Sequence, residues 1–247
     1  MTALLLMLGL ALAAPPQEEA VAAYLEGDYS ASVDHGLAAL EAGAVNGDVY
    51  YNLGNALYRE GRLAEAVLAW RRAALLMPRD GDTVANLERA RRETRDRIEW
   101  PAQGSALFWR DSLSLREQGW GAAILLALVG ALGLIRRKRP LPIEIPALLL
   151  GVPGVLLAAS TAVAWQELST YPGAVVLVEQ AQVRSAGGGG VVIFELHEGA
   201  EVRLWERVAD QVQVALPDGR RGWMRADALG VVDPRAPFPL TPPEPSG

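Results

Sequence analysis

Two apolar runs separated by four consecutive cations constrain this chain more than any other feature. Gly119–Ile135 carries no charge, Arg136-Arg137-Lys138-Arg139 follows at once, and Pro146–Gln166 is uncharged again. Seventeen residues at about 1.5 Å per residue give roughly 25 Å of helix, within the range that crosses a bilayer core. The second run contains Pro153, which a membrane helix tolerates because neighbouring groups re-satisfy the freed backbone. Trp120 and Trp165 stand at run ends that a hairpin brings to one side, where interface anchors sit. The expectation is two transmembrane helices, 119–135 and 146–166, joined by a cytoplasmic basic loop at 136–145. Both flanking regions then lie outside the cytoplasm. Two buried core helices are the alternative, and the cation cluster between the runs argues against them.

The N-terminus points the same way. Ala3–Ala14 is almost wholly apolar, ends in Ala11-Leu12-Ala13-Ala14, and is followed by Pro15-Pro16 and acids. About 12 apolar residues are too few to span a bilayer. They fit the apolar core and small-residue cleavage site of a secretory signal, although no Lys or Arg precedes them. Residues 1–14 are therefore read as a signal peptide, cut before Ala14; a buried first helix is the other reading.

Composition removes several function classes. The net charge is −6, with no basic stripe, so nucleic acid is not an expected partner. The absence of cysteine excludes disulfides, thiolate metal sites and a cysteine nucleophile. The two histidines, His35 and His197, are far apart and read as surface or packing residues. No activated nucleophile, metal box or nucleotide loop is found, so neither an enzyme nor a cofactor is expected.

Between residues 15 and 100 the chain repeats itself. Tyr24-Leu25-Glu26-Gly27 recurs as Tyr58-Arg59-Glu60-Gly61, an offset of 61 − 27 = 34 residues. Ala39 and Ala73, Asn52 and Asn86, and Leu53 and Leu87 share that offset. A 34-residue period is that of a helix–turn–helix solenoid. In Gly47–Asp80 the residues Tyr50, Leu53-Gly54, Leu57, Ala66, Trp70, Ala73 and Pro78 resemble the tetratricopeptide repeat (TPR) pattern. Gly54 and Ala66 are small so that two helices approach closely, Tyr50 and Trp70 fill the space beside them, Gly61 turns the chain and Pro78 stops the second helix. Pro15–Asn46 is a degenerate copy with Ser32 and Gly36 at the matching sites. Asp82–Glu99 is a further first helix, Arg- and Glu-rich, expected to cap the stack in solvent. A stack of barely three units is short for stability, so support from a neighbour is expected.

On the first helix of the strong repeat, Tyr50, Leu53, Gly54 and Leu57 form the packing face. Tyr51, Asn55 and Tyr58 form a second stripe at i, i+4, i+7. The TPR resemblance implies that this stripe, with Asn52 and Asn86 nearby, lines a groove for extended peptides. Amide side chains offer a peptide both donor and acceptor. Some TPRs clamp a C-terminal carboxylate with Lys and Asn; this chain has the asparagines but not the lysines, with Arg59 and Arg89 as substitutes. The candidate groove is thus Tyr51, Asn52, Asn55, Tyr58, Arg59, Asn86 and Arg89. The asparagines could equally serve only to stabilise the repeat.

Residues 101–118 interleave Leu107, Phe108, Trp109, Leu113 and Leu115 with Arg110, Asp111, Arg116 and Glu117, and read as an amphipathic or ordinary linker. After the hairpin, residues 170–232 change character. Val175–Val178 and Val191–Leu196 are short β-rich runs, Val202 and Leu204 then Val212, Val214 and Leu216 alternate with polar residues, and Asp218-Gly219 marks a hairpin turn. About five short strands suggest a small barrel. Ala181–Ser185, Leu196–Val202 and Leu216–Met224, closed by Ala228-Leu229, resemble a bacterial SH3 (SH3b) domain. That family commonly has an aromatic before the strand beginning here at Val212; Gln211 stands there, and Trp205 is the substitute surface aromatic. Trp223 is read as core. Gly187–Gly190 is a hairpin loop, because no Gly-Lys-Ser/Thr and no helix follow it. Residues 233–247 are proline-rich and read as a disordered tail.

The expected fold class is therefore multidomain: all-α helical repeats, a two-helix transmembrane hairpin and an all-β SH3-like barrel. This order resembles the BatE-type membrane proteins of bacterial aerotolerance (Bat) gene clusters. The resemblance implies membrane partners with von Willebrand A domains and a MoxR-type AAA ATPase. It also implies a stress-tolerance or envelope-assembly role on the periplasmic side of the inner membrane. A scaffold for proteins is the leading expectation; a peptidoglycan-binding module that recruits a wall enzyme is the second.

Overall fold

A computed structural model describes residues 14–96, 98, 107, 109–138 and 142–239. Residues 1–13 of the proposed signal peptide 1–14, and residues 101–106 and 108 of the linker 101–118, lie outside these. The helical part begins with two antiparallel pairs: α1 (Pro16–Glu26) with α2 (Tyr29–Glu41), then α3 (Gly47–Arg59) with α4 (Leu63–Leu76). A single helix, α5 (Gly81–Glu93), follows. The 34-residue period is visible in the backbone. Gly27 and Gly61 both turn their pairs with left-handed φ, +84° and +81°, a conformation that suits glycine alone. Asn46 and Asp80, also 34 apart, cap the helices after them by accepting from Val49 N at 2.9 Å and Thr83 N at 2.7 Å. The degenerate first pair still folds, with Ser32 Oγ donating to the Ala20 carbonyl at 2.8 Å in its buried seam.

After the short α6 (Trp109–Ser112), α7 (Leu115–Lys138) and α8 (Glu144–Thr170) pair as a hairpin. Both are long and apolar enough to cross a membrane. Small residues set their approach: a Cβ on Gly121 would stand 3.0 Å from Leu157, and one on Gly154 3.1 Å from Leu125. Ile124, Leu134, Leu148 and Leu149 point outward, each more than half exposed. Pro153 sits inside α8 without ending it. Ser114 and Glu117 start α7 as a reciprocal capping box, with Ser114 N donating to Glu117 Oε2 at 2.8 Å and Glu117 N to Ser114 Oγ at 3.3 Å.

The C-terminal part is an antiparallel sheet of seven strands rather than the five or so expected. They are β1 (Gly173–Val176), β2 (Gln180–Arg184), β3 (Val192–His197), β4 (Glu201–Val208), β5 (Gln211–Ala215), β6 (Arg221–Arg225) and β7 (Leu229–Val231). The order across the sheet is β3-β2-β6-β5-β4-β1-β7. Asp218-Gly219 makes the β5–β6 turn, with Gly219 at φ +88°. The glycines at 187–190 join β2 to β3 as a hairpin.

Of the two hydrophobic cores, one lies inside the sheet and the other is shared between sheet and helices. In the run from Ala174 to Val178, Ala174, Val176 and Val178 pack into the sheet's own interior. Val175 and Leu177 join the cluster of Leu68, Trp70 and Leu87 on the helices. The period-2 alternation of an extended chain therefore buries both faces of this segment. The helical stack gains its expected neighbour here, in α4 against β1 and β7.

Candidate functional site

The structure divides the predicted groove residues. Asn55 Oδ1 accepts from Trp70 Nε1 at 3.1 Å and from Asn86 Nδ2 at 3.0 Å. Both amides thus tie α3, α4 and α5 together. Tyr58 donates to Glu93 at 2.7 Å, and this hydrogen bond holds its hydroxyl above the ordinary range. Arg89 lies near enough to Tyr58 to oppose that shift. Arg59 extends from α3 over the Tyr29 ring, 4.4 Å from its centroid. Tyr51 is half-buried against the helical core. Asn55, Tyr58, Asn86 and Arg89 thus share one surface, with Arg89 exposed on it, while Arg59 is exposed beside Tyr29. Asn52 is not on it: it lines a separate cleft of 390 Å³ with Gln17, Glu18, Gly36, Asn46 and Asp48, between α1, α2 and α3.

A second constellation escaped the sequence reading. Glu201, 6% exposed at the start of β4, sits between Arg71 Nε at 2.9 Å and Arg91 Nε at 2.6 Å. Burial disfavours the Arg91 charge, but Glu201 outweighs it and holds the guanidinium above its ordinary range. Asp96 accepts from His197 N at 2.6 Å and meets His197 Nδ1 at 2.9 Å. The Arg-rich α5, expected as a solvated cap, is mostly exposed, but its last turn also meets the sheet through Arg91. A helix can be solvent-facing in its own repeat and still be an interface once another layer arrives.

Arg72 also went unnoticed. It lies in α4 between Trp70 and Ala73, in a helix apolar on nearly every side, and it is 0% exposed. The available signal was that pattern: a cation in a largely apolar helix, on a side that must be buried, needs partners from another element. Its partners are Tyr50, the Val231 carbonyl of β7, and the Ala236 and Pro237 carbonyls of the stretch expected to be disordered. Residues 233–239 instead run along α3 and α4, where Tyr50 donates to the Pro234 carbonyl at 2.7 Å.

On the sheet, Trp205 is 38% exposed, stacked on Tyr171 at 4.2 Å with Arg221 over its other face at 4.1 Å. Trp223 is not a core residue: Met224 points inward at 2% exposure, and Trp223 lies half-buried beneath Gly187 of the glycine hairpin. The alternation of β6 decides this, since neighbouring residues face opposite sides. Among the described residues no group of three or more His, Asp or Glu is placed to hold a metal ion.

Comparison with known families reaches one segment. Residues 47–80 match the tetratricopeptide repeat. The match is α3, its turn, α4 and the turn to α5, so the TPR carries both the Asn55 and the Arg72 positions. A TPR suggests a role in protein–protein interaction. No curated protein and no solved structure matches the chain.

Proposed function

We propose that this chain is a membrane-anchored, non-enzymatic adaptor of the bacterial cell envelope, presenting its TPR surface to a partner protein. The carrying observation is that the TPR is joined to the end of two membrane-length apolar helices. Arg79, in the turn after α4, donates to the Ser112 carbonyl at 2.9 Å and pairs with Glu117 at the start of α7. Arg110 pairs with Glu167 near the end of α8 at 2.6 Å, and Trp109 Nε1 donates to Ser160 at 3.0 Å. The sheet starts three residues after α8. TPR and sheet touch each other, so a hairpin crossing a bilayer twice leaves both on one side. Trp120 and Trp165, 63% and 52% exposed at that end, suit the interfacial layer. The basic cluster at the opposite end favours the cytoplasm for the loop and the periplasm for the body.

In this reading the partner surface is the Tyr58–Asn86–Arg89 face with Arg59 at its edge. The sheet is an SH3b-type module that buttresses the TPR. The resemblance to BatE-type proteins supplies the proposed partners, von Willebrand A-domain membrane proteins in a MoxR-associated complex. Periplasm-dependent phosphatase reporters inserted after Glu99 and fused after Gly247 should both be active; cytoplasmic activity at either site refutes the arrangement. In-cell cross-linking of the full chain should capture membrane proteins, and Arg59→Glu with Arg89→Glu should lose them while the protein accumulates normally. Capture of peptidoglycan or wall enzymes alone would replace the adaptor reading with the wall-binding one.

A further inference from the structure

The hydrogen-bond chemistry of Arg72 and Tyr50 identifies a peptide site that is separate from the Asn55 surface. Arg72 Nε and Nη2 donate to the Val231 carbonyl at 3.2 and 2.8 Å. Its Nη1 donates to the Ala236 carbonyl at 2.9 Å, and Nη2 to that of Pro237 at 3.2 Å. Tyr50, itself 3.5 Å from Nη1, donates to Pro234. Phe238 closes the site, 6.4 Å from the Tyr50 ring and 5.2 Å from the guanidinium. Two side chains thus receive four backbone carbonyls and an aromatic ring.

The peptide is the chemical complement of this site. Pro234, Pro237 and Pro239 have no N–H. Arg235 N donates to Asp233 Oδ1 at 2.9 Å and Ala236 N to the Asp233 carbonyl at 3.1 Å. The segment therefore turns acceptors toward the helices and has most of its donors removed or used internally. The site offers a guanidinium and a hydroxyl, and a guanidinium has no acceptor to give. Burial pushes Arg72 below its ordinary range, so its charge stands on this ring of carbonyls.

We infer that the Tyr50–Arg72 slot is a binding site for extended, proline-bearing peptide segments with an aromatic residue, and that residues 233–239 fill it as a resident ligand. A partner segment of that chemistry must displace the tail. A short tether gives the tail an effective concentration in the millimolar range, so the site is self-blocked until the tail is outcompeted or removed. This inference does not depend on membrane anchoring.

The probe is a fluorescein-labelled synthetic peptide of residues 233–239, with a scrambled peptide as control. In detergent, the chain ending at Val232 should bind it saturably by anisotropy, at least tenfold tighter than the full chain does. Arg72→Met in the truncated chain should abolish binding. A truncated chain with a native circular dichroism spectrum that does not bind overturns the inference. If truncation prevents folding, the full chain decides. The sequence has no cysteine, so Arg235→Cys carries a single nitroxide on the docked tail. Millimolar unlabelled peptide should mobilise that label, and the scrambled peptide should not; an unchanged spectrum with both overturns the inference.

Discussion

Gly230 in β7 faces Leu68 in α4, and this pair reports directly on the junction between sheet and TPR. A Cβ at Gly230 would overlap Leu68 Cδ2 and stand 3.2 Å from Leu177 Cδ1. Leu68 is 0% exposed and has nowhere to turn. Gly230→Ala should therefore cost about 1–3 kcal/mol by overpacking. Leu68→Ala should cost about 2–5 kcal/mol through transfer and cavity terms. In the double variant the new methyl enters the vacated space, so the combined loss should fall short of the sum by about 1–3 kcal/mol. Each kcal/mol moves Tm by about 2–4 °C for a body of about 150 residues, the size of residues 14–96 plus 172–239. Gly230→Ala alone should then lower Tm by roughly 2–12 °C. The assay is thermal unfolding of the full chain in detergent, followed by near-ultraviolet circular dichroism at several scan rates, because irreversible unfolding makes Tm rate-dependent. Additivity within about 0.5 kcal/mol, or separate transitions for helices and sheet in the parent, would refute the shared core.

Asn55→Ala should lose about 1–3 kcal/mol in urea unfolding, because it strands the Trp70 and Asn86 donors; an unchanged midpoint would show the amide to be dispensable for the repeat. Glu201→Gln should destabilise by about 1–3 kcal/mol, below the range for a fully buried pair because Arg71 and Arg91 are 34% and 37% exposed, and the loss should shrink in 1 M salt. Burial raises the Tyr50 hydroxyl pKa above 10.0. Its contribution to stability is thus complete below pH 10 and is lost as pH rises through the folded value. Stability should fall above about pH 10, and Tyr50→Phe should flatten that slope; a parallel slope in the variant would remove Tyr50 as its source.

The parts of this fold that were legible in the sequence are those set by local chemistry. Gly27 and Gly61 announced their turns because only glycine takes that φ readily, and Gly54 announced a close approach that Trp70 fills, 2.6 Å from where a Cβ would lie. The two apolar helices were legible from length alone. What stayed hidden depends on partners distant in sequence. Val175–Val178 read as a β run, but nothing local said that its odd and even residues serve two different cores. Arg91 read as solvated and Arg72 was passed over, since the carboxylate of the one lies 110 positions away and the carbonyls of the other at least 159. Trp223 read as core on its size, while strand register gave the inward place to Met224. Residues 233–239 read as disordered on composition, and their order comes from the donors waiting on α3 and α4.

The contact between the last strand and α4 also sets a timetable for synthesis. The ribosome makes the TPR helices first, yet one flank of α4 stays uncovered until β1 and β7 arrive. The buried guanidinium of Arg72 lacks its carbonyls until residues 231–237 are released. Both apolar helices are made in between. The TPR is therefore completed by residues made after α7, α8 and the other strands of the sheet. A chain cut short before β7 would leave Leu68 uncovered on that flank and Arg72 without its carbonyls.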